Sequence, residues 1–371
     1  MDRQRIGVAG CGVISDIYLK NLTTTFRSVE VVAVADVFAE RSAEKSLAYN
    51  VRAMSFEELL EDAGIDVILN LTAPSQHFPV SMRALEHGKH VYSEKTLAAN
   101  REDARKLLRL AREKGLRVGC APDTFLGGGL QTAIKAVRDG WIGRPLSATM
   151  FCTSHGVESW HANPGFYYTR EVGPVFDMGP YYFTALAALL GPVARVSAVS
   201  SRASDTRLIT SQPLAGTRIP VDTDTHVAGM AEMESGVLVN LMFSFDIWSA
   251  NLPYIEIYGT EGTISLGNPD YFAGPVRLRG RHEDAFRELP ILFPYVDNGR
   301  GLGLAQMCHA IQTGTECAAS GDLAFHVLDI ICGVTESCAL GKAVVCDSSV
   351  GPVPLLKDMV ESADALEYPP S

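Results

Sequence analysis

Residues 7–15, GVAGCGVIS, constrain this chain more than any other stretch. A short apolar run, Ile6–Ala9, passes directly into Gly10-Cys11-Gly12-Val13-Ile14-Ser15. The segment DIYLKNLTTTF that follows has helical spacing, and VEVVAVAD, closing on Asp36, reads as a second strand. A glycine cluster in that strand–helix–strand order marks a dinucleotide site. Gly10 permits the tight turn and Gly12 lets a pyrophosphate approach bare backbone. With Val13 and Ile14 they lead to a helix N-terminus, whose N–H groups and positive dipole end favour phosphate. Ser15 stands where a third glycine is common and is small enough for close helix–strand packing. Asp36 suits both ribose hydroxyls of an adenosine and repels a 2′-phosphate, which favours NAD. Arg41, close by in sequence, keeps NADP open.

The alternation continues through helices FEELLED, FPVSMRALEHG and REDARKLLRLAREKG and strands DVILNLTA, HVYSEK and RVGCAP. Near-continuous apolar strands alternating with helices predict an α/β domain, a Rossmann-type doubly wound parallel sheet, over residues 1–122. Ligands in such sheets lie at strand C-termini. Three of these ends carry polar residues: Thr72 with His77, Glu94 with Lys95, and Asp123. Residues 123–371 change pattern. A helix, LQTAIKAVRDG, leads to strands PLSATMFC and ARVSAVSS, and HVAGMAEMESGVLVNLMFSFDI reads as two long strands turning at Ser235-Gly236. This predicts an α+β domain with a large, mostly antiparallel sheet, which binds substrate and joins subunits. Val237, Val239 and Leu241 are expected on an exposed face, where a second copy would cover them as a dimer or tetramer. The segment 206–225 reads as an exposed connection.

Composition narrows the partners. Of 371 residues, 47% are hydrophobic, and 43 acidic side chains outnumber 32 Lys and Arg. No basic run tracks a nucleic acid backbone. No apolar stretch is expected to reach the ~18–20 residues needed to span a bilayer, and the first strand begins too early for a leader to precede it. The expected location is cytoplasmic. Eight scattered cysteines without a C-x-x-C pair read as reduced, buried thiols, and His87 and His90 find no partners for a metal set.

Two further segments, GKHVYSEKTLA (88–98) and GPVFDMGPYYFTAL (173–186), join GVAGCGVIS and LTAPSQH. Together they resemble the Gfo/Idh/MocA family, named for glucose–fructose oxidoreductase and inositol dehydrogenase. YGTEGTIS (258–265) and HVLDIICGVTESCALGKAV extend the resemblance over nearly the whole chain. It implies that Glu94, Lys95 and Thr96 occupy an E-K-P motif, with Lys95 the catalytic lysine and Thr96 replacing the proline. It implies too that Asp177, Gly179 and Tyr181 occupy a D-x-G-x-H/Y motif in its tyrosine branch. Thr72, His77 and Glu94 then border the cofactor, His77 towards the nicotinamide; otherwise His77 is an ordinary helix-start residue.

If 177–190 is helical, Asp177 and Tyr181 share a face. A tyrosine with a reference pKa near ~10 is a poor base at neutral pH, but a neighbouring ammonium stabilises its phenolate. Lys95 is the natural partner, and either group can exchange the proton. The plainer readings are a solvated lysine, a core tyrosine and an aspartate that caps the helix. SHGVESWHANPGFYY (154–168) is rich in sugar-binding types, so His155, Trp160, His161, Asn163 and Tyr168 join Asp123 as substrate-lining candidates; a packed loop is the alternative. The expected activity passes a hydride between NAD(P) and a secondary hydroxyl of a sugar, glycoside or cyclitol, without a metal. The rivals are a glycoside-cleaving enzyme using transient oxidation, and a non-catalytic cofactor or sugar sensor.

Overall fold

The computed structural model describes residues 3–170 and 172–356. The chain divides into two compact units: Met1–Gln131 with Phe293–Leu328 and Val353–Ser371, and Thr132–Leu292 with Asp329–Pro352. In chain order the first stretch forms β1 (Gln4–Ala9), α1 (Ser15–Thr24), β2 (Val29–Ala35), α2 (Ala39–Tyr49), β3 (Arg52–Ala53) and α3 (Phe56–Glu61). It continues with β4 (Val67–Asn70), α4 (His77–Glu86), β5 (His90–Ser93), α5 (Arg101–Lys114), β6 (Val118–Cys120) and α6 (Gly128–Arg138). The sheet is parallel throughout, in the order β3-β2-β1-β4-β5-β6. Strand order reverses between β1 and β4, which opens the ligand crevice of a doubly wound fold beyond those two strands. Local chemistry supports the helices: Asn100 accepts from the Asp103 N–H at 2.9 Å to start α5, and Gly115 ends it at φ 66°.

The rest of the chain forms β7 (Pro145–Thr153), α7 (Gly173–Leu190), β8 (Val193–Ser201), β9 (Thr206–Leu208), β10 (Arg218–Pro220), β11 (His226–Met233) and β12 (Leu238–Ser244). After these come β13 (Ile255–Gly259), β14 (Gly262–Leu266), β15 (Val276–Gly280), β16 (Arg287–Glu288), α8 (Leu302–Thr313), α9 (Gly321–Leu340) and β17 (Val344–Val345). The second unit's main sheet runs β16-β15-β14-β13-β7-β12-β11-β8-β17 and is antiparallel except where β7 lies parallel to β12. The expected turn joins β11 to β12, with Gly236 at φ 84°.

Two expectations are corrected in this unit. Val237, Val239 and Leu241 are buried within the chain itself, on the side where Phe243 packs against Tyr182 and Phe183 of α7. Because a strand alternates faces residue by residue, the opposite face carries their neighbours: Leu238, with Met230 and Val199 on adjacent strands, is exposed there. Residues 206–225 are not simply an exposed connection, because β9 and β10 pair within them and Arg207, Ile209, Val221 and Thr225 are buried.

Back in the first unit, α8 and its flanks cover β6. Gly119 bridges to Ser320, and the Cys120 N–H donates to Ala319 at 3.0 Å. Gly119 has no space for a side chain, since a Cβ would lie 2.7 Å from Tyr92 and 2.9 Å from Met307. Helix α9 is 20 residues long, and an 18-residue window within it has a mean hydropathy of 1.6, enough to cross a membrane by length and composition alone and contrary to the expectation that no stretch reaches that length. More than half of it is buried inside the chain, as in a core helix.

Candidate active site

The loop after β1 lies where the first unit's crevice opens. Gly10 has φ 101°, and a Cβ there would lie 2.6 Å from the Leu71 carbonyl, so both the turn and the end of β4 require glycine. Gly12 differs: a Cβ would meet nothing within 4 Å. The chain itself gives no reason for glycine there, whereas a ligand pressed on the backbone does. Val13 beside it is 95% exposed. Helix α1 follows the N-cap Ile14 with no side-chain cap; the Ser15 and Asp16 N–H groups donate back to Gly12 O at 3.0 Å and Val13 O at 3.4 Å, and the positive dipole end of the helix suits a phosphate. The Ser15 hydroxyl donates to Gly12 O at 2.6 Å and closes the loop, a task a third glycine lacks the atoms for.

Asp36 is held at the end of β2 by the Cys11 N–H at 2.7 Å and the Phe38 N–H at 2.9 Å, one on each oxygen. Arg41 lies over the Phe38 ring, 4.5 Å from its centroid. Gly10, Gly12, Val13, Ile14 and Asp36 thus form a bare loop and a fixed carboxylate of the kind that suits a dinucleotide.

The end of β4 and the segment after β5 are braced together. Thr72 donates from its hydroxyl to Asn70 Oδ1 at 2.6 Å. His77 is buried, with Nδ1 2.8 Å from the Thr96 carbonyl and Nε2 3.0 Å from that of Thr72. Burial holds its pKa below the ordinary histidine value despite those two carbonyls. His77 is therefore a strut between two loops rather than a surface for ligand. Glu94 makes a second brace: Oε1 accepts from the Tyr18 hydroxyl at 2.6 Å and Oε2 from the Lys95 N–H at 3.0 Å. Tyr18 belongs to α1, so the backbone of half-buried Lys95 is tied to the helix that follows the glycine loop. The Lys95–Thr96 peptide is cis.

Asp123 is corrected. It is 1% exposed, and Oδ2 accepts from the N–H groups of Gly301 at 2.9 Å and Gly303 at 3.0 Å, at the start of α8. It caps a helix instead of lining a substrate.

In the second unit, α7 begins at Gly173, so Asp177 lies within the helix and does not cap it. Asp177 and Tyr181, one turn apart on one face, are both half-buried. Gly179 between them lets α9 approach, since a Cβ would lie 3.2 Å from Ile331. Tyr182 turns to the sheet and donates to Phe151 O at 3.3 Å.

The 154–168 segment packs its last turn, 164–168, against α7. Trp160 and Asn163 are exposed, and His155 and His161 half-buried, within reach of a ligand. Tyr168 is not: it is buried, its hydroxyl donating to the Glu158 carboxylate, and burial pushes its pKa up. Beneath the segment lies an ion cluster that residue types alone did not signal. Arg207 pairs with Glu158 at 3.2 Å and with Asp246, and donates to Phe245 O at 3.0 Å. Thr225 donates to Asp246 at 2.6 Å. Trp248 also went unnoticed in the sequence, because it stands apart from the aromatic-rich segment. A separate cavity of about 260 Å³ at the N-terminus of α7, lined by Gly173, Val175, Ser200, Asp222, Asp224 and Cys338, includes neither Asp177 nor Tyr181. Among the described residues no cluster of three or more His, Cys, Asp or Glu suits a metal ion.

Comparison with known proteins bears on the fold and the cofactor. Residues 4–121 match the family model described as "Oxidoreductase family, NAD-binding Rossmann fold", and residues 130–265 match the "GFO/IDH/MocA C-terminal domain". A dTDP-3,4-didehydro-2,6-dideoxy-alpha-D-glucose 3-reductase of Streptomyces violaceoruber is 29% identical, over 71% of this chain and 72% of its own. The scyllo-inositol 2-dehydrogenase (NAD(+)) of Bacillus subtilis is 23% identical, over 85% and 86%. A levoglucosan dehydrogenase solved with NADH and L-sorbose superposes with a TM-score of 0.78 at 21% identity, covering 94% of this chain and 100% of that one.

Proposed function

The chain belongs to the Gfo/Idh/MocA family of NAD-binding oxidoreductases, and from that we propose that it interconverts a secondary hydroxyl and a ketone on a sugar, glycoside or cyclitol ring. Bound nicotinamide supplies the hydride acceptor or donor. The protein positions the ring and moves the hydroxyl proton. Lys95 and Tyr181 handle that proton, the ammonium favouring the phenolate and so bringing a tyrosine into the range of useful bases. Asp177, one turn from Tyr181, orients the ring hydroxyls. His155, Trp160, His161 and Asn163 contact the rest of the substrate, and Thr72 borders the cofactor. The protein works as a homo-oligomer in the cytoplasm.

The observation that carries this reading is the double brace on the Lys95 segment. Glu94 joins it to α1, and His77 joins its Thr96 carbonyl to Thr72. A lysine serving only as a solvated surface charge has no need of such fixation. A lysine that must meet a reacting carbon beside a bound dinucleotide does.

Reduced-nicotinamide absorbance, with NAD⁺ or NADP⁺ and a panel of sugars, glycosides and inositols, tests the reading. Turnover is expected with NAD⁺. Lys95→Ala and Tyr181→Phe should each lower kcat by about 10²–10⁴-fold while leaving NADH binding intact. Loss of less than tenfold in both variants would remove these residues from the chemistry. Aglycone release without net reduction would mark the glycoside-cleaving cycle, and cofactor binding without any turnover a sensor.

A further inference from the structure

Trp248 stands just beyond β12 and is 83% exposed. His155, just beyond β7, stacks on it with ring centroids 3.3 Å apart and planes 14° from parallel. One face of the indole is therefore covered and the other open to solvent. Single exposed aromatics are ordinary on protein surfaces. This one differs because the backbone on both sides of the stack is fixed. The Ser154 N–H donates to Ser244 O at 3.0 Å, and the Ile247 N–H donates to Ser154 O at 3.0 Å. The second of these bonds joins the immediate neighbours of His155 and Trp248. Asp246, two residues before Trp248, is gripped by Arg207 and Thr225 in the buried cluster. In addition, His155 Nδ1 is buried without a hydrogen-bond partner. The result is a pre-ordered aromatic face, which gives up little freedom when a ring lands on it.

Its placement indicates what that ring is. Tyr182, next in the chain to Tyr181, bonds to Phe151 O in β7. Phe151 lies two residues before the end of β7 and four before His155. At about 3.3 Å per residue, some 7 Å of strand separates that tie from the strand end, and the stack is farther on. Because β7 and β12 run parallel, His155 and Trp248 emerge at the same end of the sheet. The stack therefore lies farther along the sheet than the tie beside Tyr181, which suits the ring next to a reacting one rather than the reacting ring itself.

We infer that Trp248, backed by His155, is a stacking platform for a second ring, so that the substrates are disaccharides or ring-bearing glycosides rather than free monosaccharides. This rests on the oxidoreductase reading above and names its substrate class. The C–H face of a pyranose, or an aryl aglycone, lies on the open side of the indole, as apolar ring surface does on aromatic side chains elsewhere.

The test compares monosaccharides with the corresponding disaccharides and phenyl glycosides, for the wild type, Trp248→Ala and Trp248→Phe. KM for two-ring substrates is expected to be at least tenfold lower in the wild type. That ratio should fall towards one in Trp248→Ala and be largely restored in Trp248→Phe. Equal effects on one-ring and two-ring substrates, or no wild-type preference, would overturn the platform while leaving the oxidoreductase reading intact. Calorimetric titration of the same ligands onto the NADH-loaded protein separates the two claims. Two-ring binding that depends on Trp248 without turnover supports the platform and fails the oxidoreductase.

Discussion

Asp123 occupies a strand-end position where parallel sheets commonly present ligand-facing groups, yet it is committed to α8. Burial raises its carboxyl to about 6, with Glu94 adding to the rise, while the Gly301 and Gly303 N–H groups and Arg300 pull the other way. An acid with a raised folded pKa contributes its stability while protonated. That contribution is full below about pH 4, the unfolded value, and is lost as pH rises through about 6. The swing is on the order of 2–3 kcal/mol. Asp123→Asn keeps an oxygen for both N–H groups and has no proton to lose. Its urea midpoint should therefore drop less than the wild type's between pH 5 and pH 8, and an equal drop in both proteins would refute the assignment. Type and spacing revealed Gly10 and Asp36 because a turn and a strand end restrict what can stand there. They did not reveal Asp123 or Tyr168, whose side chains point inward for reasons set by residues distant in sequence: Gly301 and Gly303 for one, Arg207 and its hairpin for the other.

Helices and strands with a strong local period were legible, α5 and β1 above all, as was the shared face of Asp177 and Tyr181. What escaped was the use of elements whose partners are far away. The β9–β10 hairpin looked like a polar connection because its buried Ile209 and Val221 are few and scattered among polar residues, and nothing near Arg207 in sequence names Glu158 or Asp246. Removing only the cation should be severe. Arg207→Met strands the buried Glu158 and the half-buried Asp246 carboxylates and should cost about 3–5 kcal/mol in a denaturation experiment. Replacing all three charges, Arg207→Met with Glu158→Gln and Asp246→Asn, should recover most of that loss. A single variant within about 1 kcal/mol of the wild type would show that the cluster does not secure the 154–168 segment. The β12 error is of another kind: its alternation was read correctly and its parity assigned to the wrong side, which a pattern of period two cannot decide until the helix that covers it is known.

For the chain as a whole, the sequence announced two kinds of sheet, and the structure has both. It did not announce that Phe293–Leu328 would return to the unit begun at the N-terminus. Among the contacts that call it back are Gly119 with Ser320, Asp123 with the start of α8, the Ser28 hydroxyl with Ala305 O at 3.1 Å, and the Asn21 amide with Asn298 O and Arg300 O, both at 2.8 Å. This return orders events on the ribosome. The dinucleotide unit, though first to be made, must wait for more than 160 further residues before its last sheet edge is covered and Asp123 finds its partners. A nascent chain stopped at 292 should bind NADH poorly and expose apolar surface to a dye. Supplying 293–356 in trans should restore binding, and a fully active 1–292 fragment would contradict this. The first-made third of the protein is thus the last to be finished, and a chaperone that shields it in the interval has a longer watch to keep than the order of synthesis suggests.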